Sequence, residues 1–125
     1  MTTIYLSYSH NADRNWVTAF GEAINQHGHN AWTGERIIKP GGGWIEAFET
    51  GIQNSTIIVM ILSGEHESQP EVFFELGYAK ALQKRCVFIS PDGISVPWIP
   101  DELHIGMTIP LTSPQETAAT LISSL

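Results

Sequence analysis

The clearest hydrophobic run in the chain is TIIVMIL, Thr56 to Leu62. Seven residues, mostly β-branched or aliphatic and unbroken by charge, predict a central strand covered on both faces. Ile4 to Ser9 is a similar run that ends in small polar residues, as a buried parallel strand does at its carboxyl end. After Asp13 the positions Trp16, Val17, Phe20, Ala23 and Ile24 follow helical spacing, and Gly28 stands where a left-handed residue closes a helix. His29 to Thr33 reads as a short second strand, followed by the basic, glycine-rich loop GERIIKPGGG. A helix from Trp44 to about Gln53 comes next, with Ile45, Phe48 and Ile52 inward and Glu46 and Glu49 outward.

Ser68 and Glu71 form a capping box, and Pro70 sits in a first turn that does not need its N–H, so a helix is expected from Gln69 to about Lys84. Val72, Leu76, Ala79, Leu82 and Gln83 share one arc of it, and Glu75 falls inside that arc. Cys86 to Ser90 predicts a fourth strand. Pro91 to Ile105 reads as irregular, with a single turn at Asp101 to His104. Met107 to Leu111 predicts a fifth strand, whose Pro110 implies an edge. Ser113, Pro114 and Glu116 start a last helix with Ala118, Leu121, Ile122 and Leu125 on its apolar face. Strands alternating with helices mean a doubly wound parallel sheet, with ligands at the carboxyl ends of the strands.

Length changes this picture little: 125 residues make one domain, residues 1–125, able to bury a core without disulfides. Charge narrows it further. Thirteen acids against six Lys plus Arg give a net charge of −7, which argues against a nucleic-acid partner and an anionic membrane surface. A lone cysteine, Cys86, excludes an internal disulfide; it opens an apolar run and reads as core filler rather than nucleophile. MTTIYLSYS carries neither a basic leader nor a long apolar segment, so a cytoplasmic location is expected.

The candidate chemistry centres on Glu75. A carboxylate beside an apolar stripe is ordinarily a rim residue reaching for water. Here Glu65, Glu67, Glu71 and Glu75 crowd eleven residues without a basic one, so burial and like charge should both raise the Glu75 pKa. Several familiar sites are excluded. The chain has serines where a phosphoacceptor receiver needs acids, and no G-x-G-x-x-G follows the first strand. His10, His27, His29, His66 and His104 lack convergent metal-ligand spacing, so no metal is expected. Ser7, Ser9 and Ser63 lack a G-x-S-x-G elbow and read as turn residues. Gly41, Gly42 and Gly43 with Arg36 and Lys39 could cradle a phosphate, or form a flexible loop with solvated charges.

These residues carry a resemblance. IYLSYS resembles the first box of Toll/interleukin-1 receptor (TIR) domains, F-I-S-Y-S or close to it, and RIIKPG, Arg36 to Gly41, is similar to the second box, R-D-x-x-P-G, with Ile37 in place of Asp. Asn30-Ala31-Trp32, Gly43-Trp44 and Asn54-Ser55 through Leu62-Ser63 are collinear with the family, over about residues 4 to 90. FFELGYA, Phe73 to Ala79, resembles the helix bearing the catalytic glutamate of bacterial NAD-cleaving members, with Glu75 in its place. The resemblance implies a flavodoxin-like, doubly wound five-stranded parallel sheet with helices on both faces. It implies Glu75 as the catalytic residue. Substrate binding falls to Ser7, Tyr8 and Ser9 after the first strand, and to Trp32, Arg36, Lys39, Gly41 and Trp44 around the second-box loop. Glu71 and Phe74 complete the set. One departure stands out: Glu71 occupies a position where catalytic members often carry tryptophan, which leaves stacking to Phe74, Trp32 or Trp44.

One carboxylate suits such a reaction. Nicotinamide in NAD+ is already cationic and leaves neutral, so no general acid is required, in contrast to ordinary glycosidases. A desolvated carboxylate that holds the ribose hydroxyls can stabilise the oxocarbenium ion electrostatically. The resemblance therefore implies an NAD+ nucleosidase, with NAD+ as substrate rather than cofactor. Its product would be ADP-ribose, a cyclic isomer or a base-exchange adduct, as a signal in prokaryotic antiviral defence. Expected partners are other copies, through TIR–TIR contacts, and a downstream effector sensing the product. Two alternatives stay open: a nucleoside 2-deoxyribosyltransferase, whose helix ELGYAxA also resembles, and a non-catalytic TIR adaptor.

Overall fold

A computed structural model describes residues 2–8, 13–33, 44–62, 70–91 and 106–125, with the side chains of 33, 44–47 and 70–73 outside the description. The expected alternation is present as β1 (Thr3–Tyr8), α1 (Arg14–Gln26), β2 (Asn30–Thr33), α2 (Trp44–Gln53), β3 (Ile57–Ile61), α3 (Pro70–Ala81), β4 (Arg85–Ser90), β5 (Met107–Pro110) and α4 (Pro114–Ser123). The five strands form one parallel sheet in the order β2-β1-β3-β4-β5. This is the flavodoxin-like order, with its switch point between β1 and β3. From Ile57 onward the run behaves as its composition demands, with every residue of β3 buried because both sheet faces are covered; Thr56, expected in the strand, lies just before it and is exposed. β5 lies at an edge, where Pro110 removes no ladder donor that the sheet needs.

Period-two alternation sorts the strands into two cores. Ile4, Leu6, Val59, Val87 and Ile89 face α1 and α4, meeting Phe20, Ile24, Ala118 and Leu121. Tyr5, Ile58, Met60, Cys86 and Phe88 face the other way, under Phe48 and Ile52 of α2 and Leu76 and Ala79 of α3. Residues that are adjacent in β1 therefore belong to opposite layers.

Local signals explain three of the helix ends. Asp13 caps α1, its side chain accepting from the N–H groups of Asn15 and Trp16 at 3.0 and 3.2 Å. At the far end Gly28 takes φ +86, with Gly28 N–H to Asn25 O at 3.0 Å and His29 N–H to Ile24 O at 3.4 Å, a Schellman turn. Ser113 caps α4 as expected, accepting from Glu116 N–H at 3.2 Å. The end of α3 differs from expectation. The helix stops at Ala81, and Gln83 adopts φ +57 with its N–H on Lys80 O and Lys84 N–H on Ala79 O, both at 3.0 Å. Leu82, whose N–H still bonds to Tyr78 O at 3.1 Å, is exposed and not inward as expected. Cys86 is buried as core filler, and Gly106, at φ +114, lies against its carbonyl so closely that a Cβ would collide with the oxygen. The Ser68 capping box and the turn at Asp101 to His104 lie outside the described residues.

Candidate active site

Glu75 sits in the second turn of α3, on the face that carries Leu76 and Ala79 into the core. It is 8% exposed, so it is an inward acid and not a rim residue. Its Oε1 accepts a hydrogen bond from the Tyr5 hydroxyl at 3.4 Å, across seventy residues of sequence, and Oε2 is buried too. Tyr5 is 2% exposed at mid-strand in β1. Burial, followed by the charge and hydrogen bond of Glu75 and the nearby Tyr8, pushes the Tyr5 pKa well above the ordinary phenol range. The phenol therefore stays a donor, and the carboxylate is the acceptor.

Position of the α3 backbone depends on α2. Gln53 Nε2 donates to the Tyr78 hydroxyl at 2.6 Å, Lys84 Nζ donates to Gln53 O at 3.2 Å, and Phe48 meets the Tyr78 ring edge-on at 5.7 Å between centroids. Trp32 of β2 pairs in register with Tyr5, and its Nε1 donates to Ser55 Oγ at 3.0 Å. Ser55 Oγ in turn donates to Gly51 O at 2.7 Å. Trp32 is thus a half-buried wall beside Tyr5 with its polar atom already satisfied.

Ser7 follows Tyr5 on the same face of β1, one step nearer the carboxyl edge where ligands of such sheets bind. It is part of the strand, paired with Met60, and not a turn residue. Its Oγ is buried without a hydrogen-bond partner among the described residues, a state that costs stability unless a ligand or water fills it. Tyr8 points to the opposite layer, beside the core under α1. Phe74, next to Glu75 but a hundred degrees round the helix, is 60% exposed. The structure thus brings Ser7, Trp32 and Glu75 to one face of the sheet, while Tyr8 and Phe74 look elsewhere. Ser9, Arg36, Lys39 and Gly41, and the side chains of Trp44 and Glu71, lie outside the described residues.

A profile of the TIR domain family matches residues 4–97. The chain belongs to the TIR domain family. No curated protein matches it by sequence. Among solved structures, this TIR domain is similar to a Clostridium botulinum CMP N-glycosidase, BcmB, with a TM-score of 0.73 at 13% identity, covering 98% of this chain and 99% of that one. A 2-deoxyribosyltransferase from Leishmania mexicana follows at 0.69 and 20% identity, covering 99% and 98%. The TIR domains of the activated Roq1 resistosome align at 0.62 and 15% identity, covering 99% of this chain and 72% of that one. At such identities the likeness is one of fold.

Tyr5 and Gly51 are the parts of this TIR domain site that motif reading passes over. A signal for Tyr5 exists: a tyrosine inside a strand covered on both faces must find a partner for its hydroxyl. Gly51 leaves none, because its function is to be absent where the Tyr5 ring lies. Among the described residues no cluster of three or more His, Cys, Asp or Glu is placed to hold a metal ion, and no helix is long and apolar enough to cross a membrane.

Proposed function

We propose that this TIR domain is an NAD+ nucleosidase: it cleaves the nicotinamide–ribose bond, and Glu75 is the carboxylate that stabilises the resulting ribosyl cation. The observation that carries the reading is the buried Glu75 carboxylate, held at Oε1 by a neutral phenol and placed on the inward face of α3. An acid so enclosed is costly to keep for packing alone. It suits a reaction whose transition state gains positive charge, because the interaction strengthens as the bond breaks and water is excluded. The leaving nicotinamide needs no proton. Ser7 Oγ, on the same sheet face, is available to a ribose or phosphate oxygen.

Two further facts support N-glycosidic chemistry. The fold is shared with a CMP N-glycosidase and with a deoxyribosyltransferase. On this proposal, Arg36 and Lys39 meet the pyrophosphate and the Gly41 loop approaches it, Trp44 and Trp32 flank the bases, and the chain works in the cytoplasm as a self-associating defence signal whose product a downstream effector senses. The test is to incubate purified protein with NAD+ and identify products by mass. Release of nicotinamide with ADP-ribose or an isomer of it is expected. Efficient exchange of bases between deoxynucleosides, with NAD+ untouched, would transfer the function to the deoxyribosyltransferase reading. Inertness toward both would leave an adaptor.

A further inference from the structure

Tyr5 breaks no bond in the proposed reaction, yet three elements fix its ring. β1 carries its backbone, paired to Trp32 of β2 on one side and Ile58 of β3 on the other. α2 closes over it at Gly51. A Cβ built on Gly51 would collide with ring atom Cε2 and lie 2.6 Å from Cδ2, so the phenol ring fills the space any other residue would need. Trp32 flanks the same spot, its Cζ2 3.4 Å from where that Cβ would be, and is anchored through Ser55 to the Gly51 carbonyl. A tyrosine has only two side-chain torsions, and packing on both sides leaves its hydroxyl one place to be. That place is 3.4 Å from Glu75 Oε1.

We propose that Tyr5, seated against Gly51, is the positioning residue for Glu75: its O–H holds Oε1 and so fixes the orientation of the carboxylate that meets the sugar. This rests on Glu75 being the carboxylate that meets the ribose, whereas the coupling of phenol to carboxylate holds for any substrate. A fixed donor on one oxygen removes the rotation that an unheld carboxylate would have to lose in the transition state. It also favours the ionised form of the acid. The other ionisable side chains on the elements around Glu75, among the described residues, are Tyr8 on β1, Glu49 on α2, Tyr78 and Lys80 on α3, and Arg85 and Cys86 on β4. All of them are common to wild type and a Tyr5→Phe variant, so a difference between the two isolates the phenol.

The experiment follows the Glu75 side-chain carboxyl carbon by NMR through a pH titration, with its resonance assigned by its absence from Glu75→Gln. Tyr5→Phe should raise the titration midpoint by on the order of half a pH unit or more, because the charged form loses its donor. With NAD+ the same variant should lose about 10- to 100-fold in kcat with KM within about twofold, the pattern of an interaction used in the transition state. Melting curves report whether the variant folds. If it does not, 3-fluorotyrosine at position 5 keeps the shape with a more acidic phenol, and the midpoint should fall. A midpoint that moves in neither protein overturns the proposal, as does an unchanged kcat in a variant whose parent cleaves NAD+. A shifted midpoint in a protein inert to NAD+ upholds the positioning role and removes the proposed substrate instead.

Discussion

Glu75→Gln separates charge from shape. The amide oxygen can still accept from the Tyr5 hydroxyl, so the packing of α3 on β1 has no reason to change. Turnover of NAD+ should fall by about 10²- to 10³-fold, the scale of losing one preorganised electrostatic stabiliser. The melting temperature should hold or rise, since an enclosed charge is removed. Wild-type turnover in the variant would refute the role of Glu75. A second prediction concerns alkali. Burial pushes the Cys86 thiol up to about 11, from an ordinary value near 9. Its contribution to stability is complete below about pH 9, where the unfolded chain begins to ionise, and is lost as pH rises through about 11. Between pH 8 and pH 10.5 the loss from this thiol should reach on the order of 1 to 2 kcal/mol. Tyr5, raised for the same principal reason, adds to the loss from about pH 10 upward. Urea denaturation at those two pH values should show the fall, and Cys86→Ala should flatten its first part.

Helices α1 and α3 end in the same hydrogen-bonded turn on different residues. α1 places Gly28 at the left-handed position and α3 places Gln83 there. A side chain at positive φ costs roughly 1 kcal/mol relative to glycine. Gln83→Gly should therefore stabilise the chain by about 0.5 to 1 kcal/mol, offset in part by the greater freedom of glycine when unfolded, and a rise in the urea midpoint at constant m-value checks it. The same contrast shows what can be read in advance. Asp13, Gly28, Ser113 and Pro114 are local signals, and the ends they mark lie within a residue or so of expectation. Nothing between Ala81 and Lys84 announces a stop, so sequence alone runs the helix on and turns Leu82 inward. It ends in the left-handed turn at Gln83, which leads directly into β4 at Arg85. The site divides likewise. Glu75 stands out because an acid interrupts an apolar arc, whereas its contact with Tyr5 spans seventy residues and exists only once β1 and α3 are packed.

As a whole the molecule is a sheet with two separate interiors, and the candidate chemistry belongs to one of them, beneath α2 and α3. If the proposed self-association completes the site, NAD+ turnover should rise faster than in proportion to protein concentration. Strict proportionality over a hundredfold dilution, with a monomer by light scattering, would sink that idea. The same interior offers a clock. Cys86 is the chain's sole thiol, it is sealed in the core, and Gly106 lies on its carbonyl where the chain enters β5. A thiol reagent can reach it only when this part of the protein opens, so the labelling rate, compared with that of a free thiol of the same ionised fraction, counts how often the door stands ajar. Gly106→Ala, strained at φ +114 and blocked by the Cys86 carbonyl, should hasten labelling severalfold or more. One buried sulfur thereby becomes a built-in gauge of how firmly the sheet and its α2–α3 cover hold together.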